Sequence, residues 1–98
     1  MNNDSVLFVK TQIATLVTLF PQLQARYEYE ASEADHFVEI TPSTVFNTNT
    51  AFNDWCAQTQ EQFTELFPDE LLAFIPQDEF FGVNDPLFVQ RGAQYKAK

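Results

Sequence analysis

His36 is the single histidine of the chain, and histidine is the commonest general base in enzymes. General base catalysis also needs a nucleophile or an activated water molecule, held in a pocket beside the imidazole. No nucleophile motif accompanies His36. Its acidic neighbours Asp35 and Glu39 indicate a side chain at the start of a strand, in contact with water. We therefore expect no catalytic residue at this position.

Acidic side chains occur in two adjacent pairs, Asp69-Glu70 and Asp78-Glu79, and again at Asp85. Such carboxylates are able to bind a divalent cation or to form an acid–base couple. Calcium loops, however, place their acidic residues at alternating positions around a glycine, and that spacing is absent here. The chain also lacks a glycine-rich phosphate loop and the HExxH, GxSxG and CxxC motifs. We expect solvated carboxylates, no metal site and no cofactor.

Cys56 is the only cysteine, which excludes an intrachain disulfide and a zinc site built from cysteines. It stands beside Trp55 on the apolar side of a predicted helix, and no basic residue lies near it in sequence to favour a thiolate. We expect a buried structural thiol. The sequence thus favours a protein without enzymatic activity. The alternative is a small hydrolase or metal-dependent enzyme that uses His36 and the loop carboxylates.

The charge distribution is the least common feature of the sequence. Asp and Glu number 14 against 5 Lys and Arg, which gives a net charge of −9. Between Tyr27 and Gln90 there are 13 acidic residues and no Lys or Arg. Such a field repels nucleic acids and anionic membranes and attracts basic molecules. We therefore expect another protein, with a basic surface, as the partner; a further alternative is a nucleic-acid mimic that inhibits a DNA-binding protein.

Length and composition bear on domain number and compartment. At 98 residues the chain fits one domain, residues 1–98, in which residues 91–98 are expected to form a flexible basic tail. No apolar run approaches the roughly 18 residues of a membrane span. The first residues carry no positive charge to open a signal peptide, and a lone thiol fits a reducing compartment. We expect a cytoplasmic protein.

Two segments show the helical period of apolar residues. The first runs over residues 5–20 and is ended by Pro21, and the second runs over residues 50–66 and is ended by Pro68. The apolar stripes that define them are Val6, Val9, Ile13, Leu16, Val17 and Phe20 in the first helix, and Phe52, Trp55, Cys56, Phe63 and Leu66 in the second.

Residues 26–31 and 36–41 alternate with a period of two, and the short polar segment between them predicts a hairpin. One face, with Tyr27, Tyr29, Val38 and Ile40, is expected to pack against the helices. The continuous apolar run 71–75 predicts a third strand covered on both faces. Residues 80–89 are expected to form an irregular segment or a short fourth strand.

The element order α-β-β-α-β, with a further strand as an option, predicts an α+β fold. We expect a two-layer sandwich with a small, mainly antiparallel sheet and both helices on one face. The third strand is expected beside the first, in the order 2-1-3, so that every neighbouring pair is antiparallel. The alternative order, 1-2-3, contains one parallel pair.

Two surfaces are candidates for contact with a partner: the wet face of the hairpin and the apolar segment 80–89. Their predicted partner-binding residues are Glu28, Glu30, Phe37, Glu39, Phe80, Phe81 and Phe88. Segment 80–89 either covers Phe37 within the chain or forms an interface, including one between two copies in a homodimer. The sequence therefore predicts a small acidic, non-enzymatic protein that acts by protein–protein interaction.

Overall fold

The computed structural model describes residues 3–77, 83 and 85–96. Within this range the elements, in chain order, are α1 (Asn3–Leu19), β1 (Gln24–Glu30), β2 (Asp35–Thr41), α2 (Val45–Thr48), α3 (Thr50–Leu66), β3 (Leu71–Pro76) and β4 (Phe88–Arg91). The expected α+β fold, both long helices, the hairpin and the third strand are confirmed. The short helix α2 lies between the hairpin and α3, where the sequence predicts no element. None of the described helices is long and apolar enough to cross a membrane.

The four strands form one sheet in the order β3-β2-β1-β4. β1 pairs antiparallel with both β2 and β4, whereas β2 pairs parallel with β3. The expected position of β3 beside β1 is therefore wrong, and the alternative with one parallel pair is correct. The physical reason is that β4 occupies the second edge of β1, which leaves the free edge of β2 for β3.

The core lies between one face of the sheet and the helices α1 and α3. Its buried apolar side chains come from the stripe of each helix and from alternate strand positions: Val9, Ile13, Leu16, Val17, Ala25, Tyr27, Val38, Ile40, Phe52, Cys56, Phe63 and Leu72. Asn49 begins α3, and its side-chain oxygen accepts a hydrogen bond from the backbone N–H of Phe52 at 3.0 Å. Helix periodicity and strand alternation thus supply a single apolar cluster.

The elements define two ends of the molecule. One end, called the turn end, contains the β1–β2 turn, the start of α1, the end of α3 and the start of β3. Leu71 N donates to Ala34 O at 3.1 Å, which links β3 to the β1–β2 turn. The Phe8 ring packs on Phe67, which links α1 to the end of α3. At the opposite end, called the tail end, β2, β3 and β4 finish, because all three run in the same direction. The Phe20 ring packs on Phe52 there, so α1 ends where α3 begins.

The chain after β4 is bound to the loop between α1 and β1. Gly92 N donates to Leu23 O at 2.8 Å, and Gln94 N donates to Pro21 O at 2.9 Å. A Cβ atom at position 92 would lie 2.1 Å from the Pro21 carbonyl oxygen, so the close approach requires glycine. Within the expected tail, residues 91–98, Arg91 thus belongs to β4, and Gly92 and Gln94 are hydrogen-bonded to the loop before β1.

Candidate functional site

His36 lies on the core face of β2 and is completely buried, so the expected position near water is wrong. The Tyr27 hydroxyl lies 2.6 Å from His36 Nδ1, and a carboxylate oxygen of Glu70 lies 2.7 Å from Nε2. The Ser5 hydroxyl donates to the same Glu70 oxygen at 2.7 Å. These four residues form a buried histidine network that joins α1, β1, β2 and the turn before β3.

Both ring nitrogens of His36 have a hydrogen-bond partner within the network. Burial raises the pKa of Tyr27, and the nearby Tyr29 and Glu70 raise it further, so that the phenol keeps its proton. The Tyr27 hydroxyl, which can both donate and accept, is hydrogen-bonded to Nδ1, and the Glu70 carboxyl group is hydrogen-bonded to Nε2. The ring is therefore fixed in orientation from both sides.

A histidine bonded to a carboxylate is a common acid–base pair, but here the imidazole is closed off from solvent. Tyr27 and His36 are both 0% exposed, and both ring nitrogens are already hydrogen-bonded. The rings of Tyr29 and Phe63 pack against the imidazole at centroid distances of 4.4 and 5.2 Å. Since a general base must come within hydrogen-bond reach of its substrate, this geometry supports a structural role.

Glu70 differs from its sequence interpretation as a solvated carboxylate. Its side chain is 9% exposed, whereas the adjacent Asp69 lies on the surface. Asp78 and Glu79, the other loop carboxylates of the alternative enzyme hypothesis, lie outside the described residues. Of the loop carboxylates that the structure describes, Glu70 therefore contacts His36, and this contact lies inside the core rather than in an open pocket.

Glu39 lies on the predicted face of β2, but the prediction that it meets water is wrong, because it is 2% exposed. Arg26 Nη1 donates to its Oε1 at 3.0 Å, and the backbone N–H of Val83 donates to its Oε2 at 2.9 Å. Val83 is itself 4% exposed. The chain between β3 and β4 thus crosses this face at Val83 and covers Glu39, which takes the carboxylate out of the candidate contact surface.

The other candidates on this face differ in exposure. Glu28 is half-buried and accepts a hydrogen bond from the backbone N–H of Asp85 at 3.2 Å. Phe37 is half-buried as well, and Glu30 is exposed. The predicted acidic face is therefore partly covered by the chain at Val83 and Asp85, as the alternative of an intramolecular cover predicts.

The predicted apolar contacts of segment 80–89 are only partly described. Phe80 and Phe81 lie outside the described residues. Phe88 lies on the core face of β4, opposite Tyr27, and packs against the core cluster. Lys10 Nζ lies 5.6 Å from the centre of the Phe88 ring. Phe88 is thus half-buried by contacts within the chain, and its role toward a partner stays a prediction.

Acidic side chains concentrate at the turn end. Glu30 and Asp35 are cross-strand partners, and the hydrogen bond from Ser5 to Glu70 brings the start of α1 to the same end. Hydrogen bonds from the Ser32 hydroxyl and backbone N–H lower the pKa of Glu30, which keeps this carboxylate charged. The acidic cluster consists of Asp4, Glu30, Glu33, Asp35, Glu65 and Asp69, of which Asp35 is half-buried and the others are exposed.

The described basic residues lie away from the acidic cluster. Each has its own contact or position in the fold: Lys10 on the Phe88 ring, Arg26 on Glu39, Arg91 on Gln24 at 2.7 Å, and Lys96 at the tail end. Two exposed leucines flank the turn that carries Asp69: Leu66 is 57% exposed and Leu71 is 51% exposed. The turn end therefore combines like charges with exposed apolar surface.

A cleft of about 620 Å³ opens at the tail end. Residues 41–44 and 94–96 line it together with Gln22 and Gln77. Of the residues that the structure describes, those that line the cleft include neither His36 nor a carboxylate. The cleft and the buried histidine network are thus separate features at opposite ends of the sheet.

Thiol and metal chemistry find little support in the described residues. Cys56 is 7% exposed on α3, and burial raises the pKa of its thiol to about 12, so the predicted buried thiol is confirmed. Among residues 3–77, 83 and 85–96, no group of three or more His, Cys, Asp or Glu is placed to hold a metal ion. No protein-family model, curated protein or solved structure matches the chain.

Proposed function

We propose that the protein acts by binding a partner protein with a basic surface through the acidic cluster at its turn end. The observation that carries this proposal is the segregation of charge. Six acidic side chains share one end, and the described basic residues lie elsewhere in the fold. A surface of one sign attracts an oppositely charged partner and raises the rate of encounter.

The exposed leucines of the turn end supply the apolar part of the proposed contact. Leu66 and Leu71 are more than half exposed on either side of Asp69. Protein interfaces commonly combine an apolar centre with a polar rim, in which rim charges affect the association rate. The leucines are therefore expected to slow dissociation, whereas the carboxylates speed association.

We locate the contact at the end of the sheet rather than on its face, because Glu39 is covered and Glu28 is partly covered. A second copy of this chain is a poor occupant of the turn end, since two acidic clusters repel each other. A basic protein is the occupant that the charge favours.

The test compares two double variants with the same change in net charge. Glu33→Gln with Asp69→Asn removes two charges from the acidic cluster, and Asp54→Asn with Glu61→Gln removes two exposed charges from α3. The immobilised wild type and both variants are incubated with lysate from the native host, and the retained proteins are identified by mass spectrometry. We expect a basic protein to be retained by the wild type and by the α3 variant, and to be lost from the turn-end variant.

A second comparison separates apolar contact from charge. Leu66→Ser removes an apolar side chain at the turn end, and Leu19→Ser removes one of nearly equal exposure, 56% against 57%, at the tail end. Only Leu66→Ser is expected to speed dissociation of the retained protein. Equal retention by both charge variants, equal loss from both, or no basic protein on the wild type would each refute the proposal.

A further inference from the structure

The cleft at the tail end lies where strands finish. Residues 41–44 start at the last residue of β2, Gln77 follows β3 and residues 94–96 come after β4, and these three strands run in one direction. In open sheets with parallel strands, ligands bind outside the carboxyl ends of the strands. The cleft volume of about 620 Å³ also falls within the size range of small-molecule sites. Position and size therefore both fit a ligand site.

The described residues that line the cleft have mostly polar side chains, one of them charged, although apolar atoms contribute the larger share of its surface. Three kinds of polar group line it: hydroxyls from Thr41, Ser43, Thr44 and Tyr95, carboxamides from Gln22, Gln77 and Gln94, and the ammonium group of Lys96. Among these side chains, the described part of the chain contains one mutual hydrogen bond, from Thr41 Oγ1 to Gln77 Oε1 at 3.4 Å. Most of these donors and acceptors are therefore available to a ligand.

The backbone holds the two sides of the cleft together. Gln94 N donates to Pro21 O, which fixes the tail beside the loop that carries Gln22. Tyr95 N donates to Gly92 O at 3.1 Å, so the residue next to Lys96 is also bound within the fold. A site whose walls are already positioned loses less entropy when it binds a small ligand.

We propose that this cleft binds a small polyhydroxylated anion, namely a sugar derivative with one carboxylate or phosphate group. Hydroxyls and carboxamides both donate and accept, which matches the hydroxyls of a sugar. Lys96 is the one charged residue among the described residues of the lining, and it pairs with the anionic group. The half-buried Tyr95 ring offers an apolar surface to the C–H groups of the sugar. This site is independent of the acidic cluster and of the proposed protein partner.

The test is a titration of the ¹⁵N-labelled full chain, followed by amide chemical shifts. The three probes are glucuronate, glucose 6-phosphate and uncharged glucose. We expect saturable shifts of amides at Gln77, Tyr95 and Lys96, and at least one anion that binds about tenfold or more tightly than glucose, as expected for a charge-assisted hydrogen bond. The anion that binds more tightly identifies the charged group as a carboxylate or a phosphate.

Two lysine variants with the same charge change provide the control. Lys96→Gln is expected to lower anion affinity about tenfold, to the level of glucose, while Lys10→Gln, on α1, leaves it unchanged. The proposal is overturned if no probe gives saturable shifts up to about 20 mM, which would mean binding weaker than about −2.3 kcal/mol. It is equally overturned if the shifts lie outside the cleft, if glucose binds as tightly as both anions, or if the two lysine variants lose affinity equally.

Discussion

His36 and Glu70 stand 34 positions apart in the chain and meet through a 2.7 Å contact between Nε2 and Oε1. The contact ties the first residues of β2 to the turn that precedes β3. In the same region Asp35 is paired with Leu71 and His36 with Leu72 in the parallel ladder. The buried histidine network therefore helps to select β2, rather than another strand, as the neighbour of β3.

Removing the Tyr27 hydroxyl tests the network. Tyr27→Phe keeps the ring but leaves His36 Nδ1 buried without a hydrogen-bond partner, so we expect unfolding free energy to fall by about 1–3 kcal/mol. Urea denaturation provides the measurement. The control is Tyr29→Phe: the Tyr29 hydroxyl makes no hydrogen bond with the described residues, so its loss should change stability by less than about 0.5 kcal/mol. Equal effects of the two variants would contradict the network.

Glu39→Gln tests the covered carboxylate. The alternation of the hairpin alone predicts that this change is neutral or slightly stabilising, because it removes a charge from an acidic face. With Arg26 and the Val83 N–H both donating to a buried carboxylate, we instead expect a loss of about 1–3 kcal/mol in unfolding free energy. The exposed Glu33→Gln, in the turn between β1 and β2, is the control and should leave the denaturation midpoint unchanged. A Glu39→Gln protein with the unfolding free energy of the wild type would contradict the prediction, because it would show that these two hydrogen bonds do not stabilise the fold.

Phe63→Ala tests the packing of α3 on the sheet. Phe63 is completely buried, and its ring contacts those of Phe8, His36 and Phe67. We expect a loss of about 3–5 kcal/mol from the removed apolar surface and the remaining cavity, read from thermal or chemical denaturation. Glu61→Ala, on the exposed side of the same helix, should stay within about 0.5 kcal/mol. Similar melting shifts for both would mean that α3 is rotated about its axis.

Alkaline pH should destabilise the folded chain. Burial raises the pKa of Cys56 to about 12 and raises the pKa of Tyr27 as well. The unfolded chain releases these protons at lower pH than the folded chain, so deprotonation favours unfolding. Their contribution to stability is complete below about pH 8 and falls as pH rises above about 9. Unfolding free energies of wild type and Cys56→Ala from about pH 7 to 10.5 provide the measurement, with a shallower decline expected for the variant. Parallel curves would contradict the assignment to Cys56.

The parts of the fold that follow from local periodicity were predictable. Both long helices and the hairpin rest on spacings of three to four or of two residues, which the chain itself displays. The neighbour of β3 was not predictable, because a continuous apolar run indicates burial on both faces without naming the adjacent strand. The position of β3 depends on β4, which occupies the edge of β1 that would otherwise be open to β3. β4 has only four residues, and the sequence predicts it only as an alternative to an irregular segment.

The candidate site was less predictable than the fold. His36 has the same parity as Val38 and Ile40, so the alternation that places those two in the core also places His36 there. That signal was outweighed by the adjacent acidic residues. The sequence around Glu70 does not indicate that this side chain is buried, because its partner His36 comes from another part of the chain. The cover over Glu39 is equally distant in sequence: Val83 lies 44 residues away from it.

The position of β1 between β2 and β4 has a consequence for the order of folding. β2 pairs with β1 after a short turn, whereas β4 reaches β1 only after α3 and β3 have been laid down. Closing the longer loop costs more chain entropy, and β4 offers only four residues of pairing in return, so we expect this strand to join the sheet late and to leave it early. Because residues 94–96, which line the cleft, continue from β4, we expect the cleft to form after the rest of the sheet.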